Sequence, residues 1–542
     1  MNEASSPSPP DLQALLLGGL LAVLPFEARR PVLAAGPFTV TVLEAGALAV
    51  TALLLGRERR GGPWRLAAPV GWMLLLAGAY LLSAALAADH AGRATKFALR
   101  LCLAAVFAIA VARLPPRSVA RGLWGLVVGG VLVAALAIAE GGGLRALDPW
   151  LDLFREQPFN VGGVRRASAG SEYPNLAGAI LMYALVALGG LAASGRVSAA
   201  LVAAVAVLTA GLLSTYSRAA LVGALAGLAV IAAAHRGRAP RACLVVLAAG
   251  ALVFTAGRQA FALRLSTEGV DSWYGADYAP AVRSLRLRPE EALLTAIRVT
   301  NRGRLPWDRD RQFHLSYHWY GVERRDLVDG GRTRLPRDVG PGETVLLQAE
   351  VRAPAREGRY LLLWDMVQEH TSWFSGQGVP PGVVQAWVGS GKEGVEESPA
   401  LFQAEPLAWR PGRRVLWPLA LRMWRADPWT GAGPDSFRWS YGRWAGRATW
   451  DTRVFANNAY LEVAATTGLA GLLAFLGTLG SATRAAWSAR ETGPAALAAL
   501  GLLVALAVHG LADYVFAFTG HYLVVGLVVG AAASVARPEA AP

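Results

Sequence analysis

Three clusters hold the residues whose types and spacing suit chemistry. The first, RRASAGSEYPNLAG at 165–178, carries Arg166, Glu172 and Asn175 just ahead of a long apolar segment. The second, STYSRAALVG at 214–223, puts Ser217 and Arg218 in a tight turn between two apolar segments. The third runs from Asp427 to Leu473: a polar, aromatic-rich and Arg-rich loop with Gly433, Asp435, Asp451 and Arg453 ends at Asn457-Asn458, and an apolar segment with Glu462 in its first turn starts at once. A guanidinium at a hydrocarbon boundary suits a phosphate, to which it donates two parallel hydrogen bonds. Arg218 is the first such residue and Arg166 the second. Asn457 or Asn458 can cap the helix that follows by accepting from its free N–H groups. Glu172, Asp451 and His521 are outward-facing proton acceptors, although Glu172 also suits a surface pairing with Arg166. His509 and Asp513, four apart, are expected to share a helix face and to stabilise a helix bundle.

The elements that must position these groups are membrane helices. Of 542 residues, 54% are hydrophobic, which places the chain among polytopic membrane proteins. The formal charge is +14, but nearly all of the basic residues are Arg, with Lys only at 96 and 392. Many of those Arg lie between apolar runs, where topology accounts for them, so nucleic-acid binding is set aside. Cys102 and Cys243 fall inside apolar runs and read as small buried hydrophobes. The first residues, MNEASSPSPPD, lack the basic region of a cleavable signal peptide, so the first apolar run is expected to stay as a helix.

Apolar runs long enough to span begin near Leu12, Phe38, Leu66, Phe97, Leu123, Asn175, Val197, Ala219, Ala242, Asn458, Ala495 and His521, about twelve in all. The loops 57–65, 113–121 and 235–241 and the one with Arg484 and Arg490 are basic and fall on alternate turns. The positive-inside rule then makes both termini cytoplasmic and the three clusters outward-facing. The domains expected are an N-terminal membrane part at 1–257, a periplasmic linker at 258–284, an all-β sandwich at 285–390, a periplasmic loop with the third cluster at 391–457, and C-terminal membrane helices at 458–542. The sandwich is read from short alternating runs such as 293–301, 313–320, 344–354 and 359–369, separated by Gly, Pro and Asn clusters. Trp307, Trp319, Trp364 and Trp373 are expected to fill its core. No metal site is expected: the acidic pair at 308–310 sits in a turn of the sandwich, and GSGK at 389–392 lacks phosphate-loop spacing.

Together the three clusters resemble the O-antigen ligase and O-antigen polymerase superfamily of membrane glycosyltransferases. Arg166, Gly170, Pro174, Asn175 and Ala177 match its first motif, and Ser217, Arg218 and Ala219 its second. Pro428, Gly431, Gly433, Asn458, Leu461, Glu462, Thr467, Gly468, Leu469 and Gly471 match the third. The segment at 285–390 is similar to the four-tryptophan type of immunoglobulin-like module. The resemblance implies a metal-independent transfer, without cofactor, of a glycan from undecaprenyl diphosphate to a hydroxyl acceptor. The acceptor would be lipid A-core for a ligase or a growing glycan for a polymerase, at the outer face of the bacterial inner membrane. It also implies that arginines hold the diphosphate and that a histidine serves as base, but Asn457 stands at that histidine's position. An amide orients a hydroxyl and takes no proton at neutral pH. A transporter for a lipid-linked substrate and a non-catalytic glycan sensor are therefore the rival classes. Topology is tested by a reporter fused after Gly340: activity is expected only outside the cytoplasm, and cytoplasmic activity would overturn the placement of all three clusters.

Overall fold

The structure is a computed structural model. It describes residues 11–56, 66–155, 159–161, 164–257, 273–309, 313–324, 326–369, 372–377, 379–389, 411–447 and 450–537. The basic loop at 57–65, most of the linker, and the start of the 391–457 loop lie outside the described residues. The N-terminal helices are α1 (Leu12–Val23), α2 (Val42–Gly56), α3 (Ala68–Leu86), α4 (Ala91–Ala112), α5 (Pro116–Gly141), the one-turn α6 (Asp148–Leu151), α7 (Pro174–Leu191), α8 (Ala199–Ser214), α9 (Arg218–Ala234) and α10 (Arg238–Gly257). After the sandwich come α11 (Arg413–Ala426), α12 (Ser436–Trp444), α13 (Ala459–Ser488), α14 (Pro494–Gly510) and α15 (Thr519–Val535). Among the described residues, 6 helices are long and apolar enough to cross a membrane: α3, α4, α5, α7, α10 and α13. The remaining apolar helices are shorter, at 10–17 residues. Apolar side chains such as Leu53, Leu75, Leu82, Val128 and Leu252 stay exposed on their outer faces, as suits contact with lipid.

Local chemistry sets several boundaries that the apolar runs leave open. Phe38 does not open a helix. It lies in a hairpin of β1 (Leu33–Ala35) and β2 (Phe38–Val40). The helix waits for Thr41, whose hydroxyl accepts from the Glu44 N–H at 3.1 Å while Glu44 accepts from the Thr41 N–H at 2.8 Å, a reciprocal capping box. Proline at the first helical position starts α5 at 116, so part of the basic loop at 113–121 is helical. Likewise α10 starts at Arg238, inside the basic loop at 235–241. The loop expected at 391–457 contains two helices, α11 and α12.

β3 (Phe159–Val161) and β4 (Val164–Arg166) pair as a second hairpin, and two further sheets form the sandwich. The larger runs β10 (Thr333–Arg334), β8 (Phe313–Gly321), β12 (Gly358–Gln368), β14 (Gly382–Val388) and β6 (Ser284–Leu287), with β9 (Leu327–Asp329) and β13 (Ser372–Trp373) paired at its side. The smaller runs β11 (Thr344–Arg352), β7 (Ala292–Asn301) and β5 (Ala276–Pro280). β11 alternates buried and exposed residues along its whole length, as a strand with one face on a core must. Trp307, Trp319 and Trp364 are buried in that core; Trp373 is half-buried. β5, Trp273 and Tyr274 join the same core, so the module reaches back ahead of the boundary expected at 285.

Within it, the His318 imidazole lies 2.8 Å from Asp329 and 3.5 Å from the buried Asp365. Burial pulls this imidazole's pKa down, but hydrogen bonds and charge from the two carboxylates outweigh it, and the net shift is upward. Burial also lifts the Asp365 carboxyl. The imidazole's raised folded pKa means that its stabilisation is fully present below the ordinary value of 6.5 and fades as pH rises through the folded pKa. Thermal unfolding of a 273–389 fragment should therefore show a Tm that falls as pH rises past neutrality. His318→Gln should flatten that slope, and an unchanged slope would refute the assignment.

Candidate functional site

The third cluster is built around a broken helix. α13 is interrupted at Gly468, whose φ of 64° and ψ of −163° lie outside helical space. A break frees backbone groups that an apolar surrounding cannot satisfy. Here the strip 428–433 satisfies them. Ala432 N–H donates to Ala465 O at 3.1 Å and Gly433 N–H to Thr466 O at 3.0 Å. Beyond the break, Leu469 N–H donates to Pro428 O at 2.8 Å and Ala470 N–H to Trp429 O at 3.3 Å. The Ser83 hydroxyl adds a bond to Thr466 O at 2.8 Å. Gly431 and Gly468 both have positive φ, and a Cβ on either would run into the other segment's main chain. The glycines of the third cluster are thus there for close backbone approach.

At the N-terminal end of α13, Asn458 is the N-cap: its side-chain oxygen accepts from the Tyr460 and Leu461 N–H groups at 3.0 Å each. Its amide donates to Leu511 O at 2.9 Å. Glu462 is buried and accepts from the Ala456 N–H at 2.7 Å. Asn457 has φ of 52°, a left-handed conformation that Asn and His tolerate better than most residues.

The first and second clusters meet. Arg166 Nε donates to Thr215 O at 3.0 Å, and its Nη2 donates to Asn175 at 2.8 Å. Asn175 in turn donates to Asp513 at 2.8 Å. Asp513 lies past the end of α14, so it does not share a helix face with His509 as the spacing suggests; it serves the Arg166–Asn175 chain instead. Ser217 holds the N-cap position of α9 without a side-chain capping bond, its N–H donating to Thr215 Oγ1 at 3.2 Å, and the half-buried Arg218 is the first residue of α9. The loop carrying Arg166 is anchored by a buried ion cluster. Glu140 pairs with Arg155, both fully buried, and accepts from the Ser168 and Ala169 N–H groups at 2.9 Å each. Arg155 also reaches Asp148 at 2.7 Å, and Asp148 pairs with Arg165.

Beside this framework lies a cavity of about 260 Å³. Arg29, Arg100, Arg438 and Arg453 line it, with Glu27, Glu172 and His521, over an apolar floor that includes Leu176 and Ile180. Of the residues expected from sequence, Arg453, Glu172 and His521 are on its wall. Asp435 and Asp451 stand behind it as holders: Asp435 grips Arg438 with both oxygens at 2.6 and 2.7 Å, and Asp451 grips Arg453 at 3.0 and 3.2 Å. Arg166, Arg218, Asn175, Ser217, Gly433, Asn457, Asn458 and Glu462 do not line it. Burial pulls the Arg438 pKa down, but Asp435 outweighs it and holds the guanidinium firmly charged. Burial lifts the Glu27 carboxyl above its ordinary range. Glu27, Arg29 and Arg100 lie outside the three clusters as read from sequence, and Arg438 lies inside the third without being singled out. Arg100 had a readable signal: it sits in an apolar run, where a charge needs a partner. That partner is Glu44 on α2, at 2.6 Å.

The chain matches no family model and no curated relative. Among the described residues, no group of His, Cys, Asp and Glu could hold a metal ion.

The helix break is testable by stability. Gly468→Ala combines a positive φ with a backbone clash and should cost at least about 2 kcal/mol in thermal unfolding of the detergent-solubilised protein. Gly480→Ala, in the same helix with open space around it, should be neutral or stabilising. Equal behaviour of the two variants would remove the strip 428–433 from its structural role.

Proposed function

We propose that the chain is an O-antigen ligase-like glycosyltransferase of the bacterial inner membrane. It spans about twelve times, with both termini cytoplasmic and the sandwich and third cluster in the periplasm. It moves a glycan from undecaprenyl diphosphate to a hydroxyl of lipid A-core or, as a polymerase, of a growing glycan. The observation that carries this is the cavity in which Arg29, Arg100, Arg438 and Arg453 converge above apolar side chains. Arg100, Arg438 and Arg453 are each held from behind by a carboxylate, Glu44, Asp435 and Asp451, so the cavity offers a diphosphate aimed N–H donors rather than an excess of positive charge. A guanidinium has five N–H donors, so a bidentate grip by one carboxylate leaves donors for phosphate oxygens.

In the reaction, the acceptor oxygen bonds to the anomeric carbon as the bond from that carbon to the diphosphate oxygen breaks. Charge builds on the departing diphosphate, where fixed cations stabilise the transition state more than the ground state. The acceptor's proton goes to a group on the cavity wall. Glu27, Glu172 and His521 lie on that wall and are the groups placed to accept it.

A second reading is favoured by one feature. A broken helix with acidic residues nearby is a transporter trait. Against it, the backbone groups freed at Gly468 bond to the strip 428–433 rather than standing open to a ligand. The test is glycan transfer from undecaprenyl diphosphate in membranes. Arg438→Ala and Arg453→Ala should each slow transfer roughly a hundredfold, on the order of 3 kcal/mol. Arg453→Lys should also impair it, because the fork is lost while the charge stays. Wild-type rates in all three variants would remove the cavity from the transfer site, and the absence of transfer by the unaltered protein would sink the transferase and leave transport standing.

A further inference from the structure

A second polar recess lies across α12 from the arginine cavity. It has a volume of about 600 Å³ and is walled by Asp89, Asp427, Thr430, Ser440, Arg443 and Trp444. One short helix serves both sites. Arg438 points to the cavity, while Ser440, Arg443 and Trp444 line the recess. At about 100° per residue, positions 440, 443 and 444 lie on the side of the helix away from 438.

The wall chemistry is mixed in a particular way. Trp444 is 39% exposed and offers an aromatic face. Asp427 is exposed, and Asp89 pairs with Arg443 at 2.7 Å while both stay open to solvent. Thr430 and Ser440 add hydroxyls. Interfacial anchoring in a membrane explains an exposed tryptophan, but not two carboxylates beside it. A sugar ring uses both: its C–H face packs on an indole, and its hydroxyls donate to carboxylates and accept from a guanidinium. The recess is too polar for a lipid tail and lacks the closed ligand set of a metal site.

We propose that this recess binds the acceptor glycan, holding sugar units of the chain away from the end that reacts. The proposal rests on the transfer function proposed above. A helix is about 10 Å across, so a chain bound here reaches the cavity only by passing α12. Long acceptors therefore engage the recess, and short ones do not.

The experiment uses the full-length protein in nanodiscs, with undecaprenyl-diphosphate-linked donor. The acceptors are a disaccharide and an octasaccharide cut from the producing cell's own envelope glycan. Trp444→Ala and Asp427→Asn should each raise KM for the octasaccharide roughly tenfold, leave kcat unchanged, and leave the disaccharide unaffected. Trp444→Phe keeps a stacking face and should restore most of the loss. Binding of the octasaccharide without donor, measured calorimetrically, should weaken by the same factor in the two variants. Equal effects on both acceptors, or none on either, would overturn the proposal. If no transfer occurs even in the wild type while octasaccharide binding still depends on Trp444 and Asp427, the transferase function fails and the glycan site stands.

Discussion

The break in α13 at Gly468 is the constraint on which the rest depends. A helix in an apolar surrounding cannot leave peptide groups without partners, because each costs several kcal/mol there. The strip 428–433 supplies the partners on both sides of the break, and so it is fixed in place as firmly as a strand in a sheet. Its position then sets everything attached to it. α11 ends just before the strip and α12 begins just after it. α12 carries Asp435 at its start and Arg438 to the cavity wall. The N-terminal half of α13, with its cap Asn458, carries Glu462, and the two shape the turn leading in. A defect in one helix thus becomes the scaffold for the cationic half of the site.

The other half rests on the Glu140–Arg155 cluster. Burying this pair carries a large desolvation cost, offset only when every lone pair and N–H is engaged. Glu140 is engaged by the Arg155 and Arg165 guanidiniums and two backbone N–H groups, and Arg155 by Glu140, Asp148, Asp152 and Ser168. The result is a loop at 165–173 that cannot drift, even though little of it is regular structure. Its rigidity passes to Arg166, whose bonds to Thr215 O and Asn175 tie α7, the α8–α9 turn and Asp513 into one chain.

Much of the scaffold was legible in the sequence because period and punctuation are local. The apolar runs, the alternating strands of the sandwich, the tryptophan core and the cap at Asn458 all follow from neighbours within a few residues. The boundary at Phe38 failed for a local reason too: a hairpin and a capping box delay the helix. What the sequence hid is what distant segments make together. Nothing near Thr466-Thr467-Gly468 signals a break, since its partners lie about forty residues upstream. The cavity draws on residues 27–29, Arg100, 172–180, 438–455 and 517–521, and no spacing rule joins them. Arg218 stood out by its depth alone, whereas Arg29 and Arg438 looked like ordinary loop residues.

Pairing the wall arginines with carboxylates trades net charge for position. A free cluster of guanidiniums would attract a diphosphate strongly, but each would have to be ordered on binding, at about 2 kcal/mol of rotamer entropy per side chain. Asp435, Asp451 and Glu44 hold Arg438, Arg453 and Arg100 beforehand, so the donors are already aimed. Partial neutralisation has a second effect. The leaving diphosphate is more highly charged than the glycosylated donor, and a site with four unopposed cations would retain it after each turnover. Catalysis needs tight binding of the transition state, not of the product. For the proposed transfer, a wall whose cations are balanced from behind would meet both demands: it would stabilise charge as it develops and still let the carrier leave.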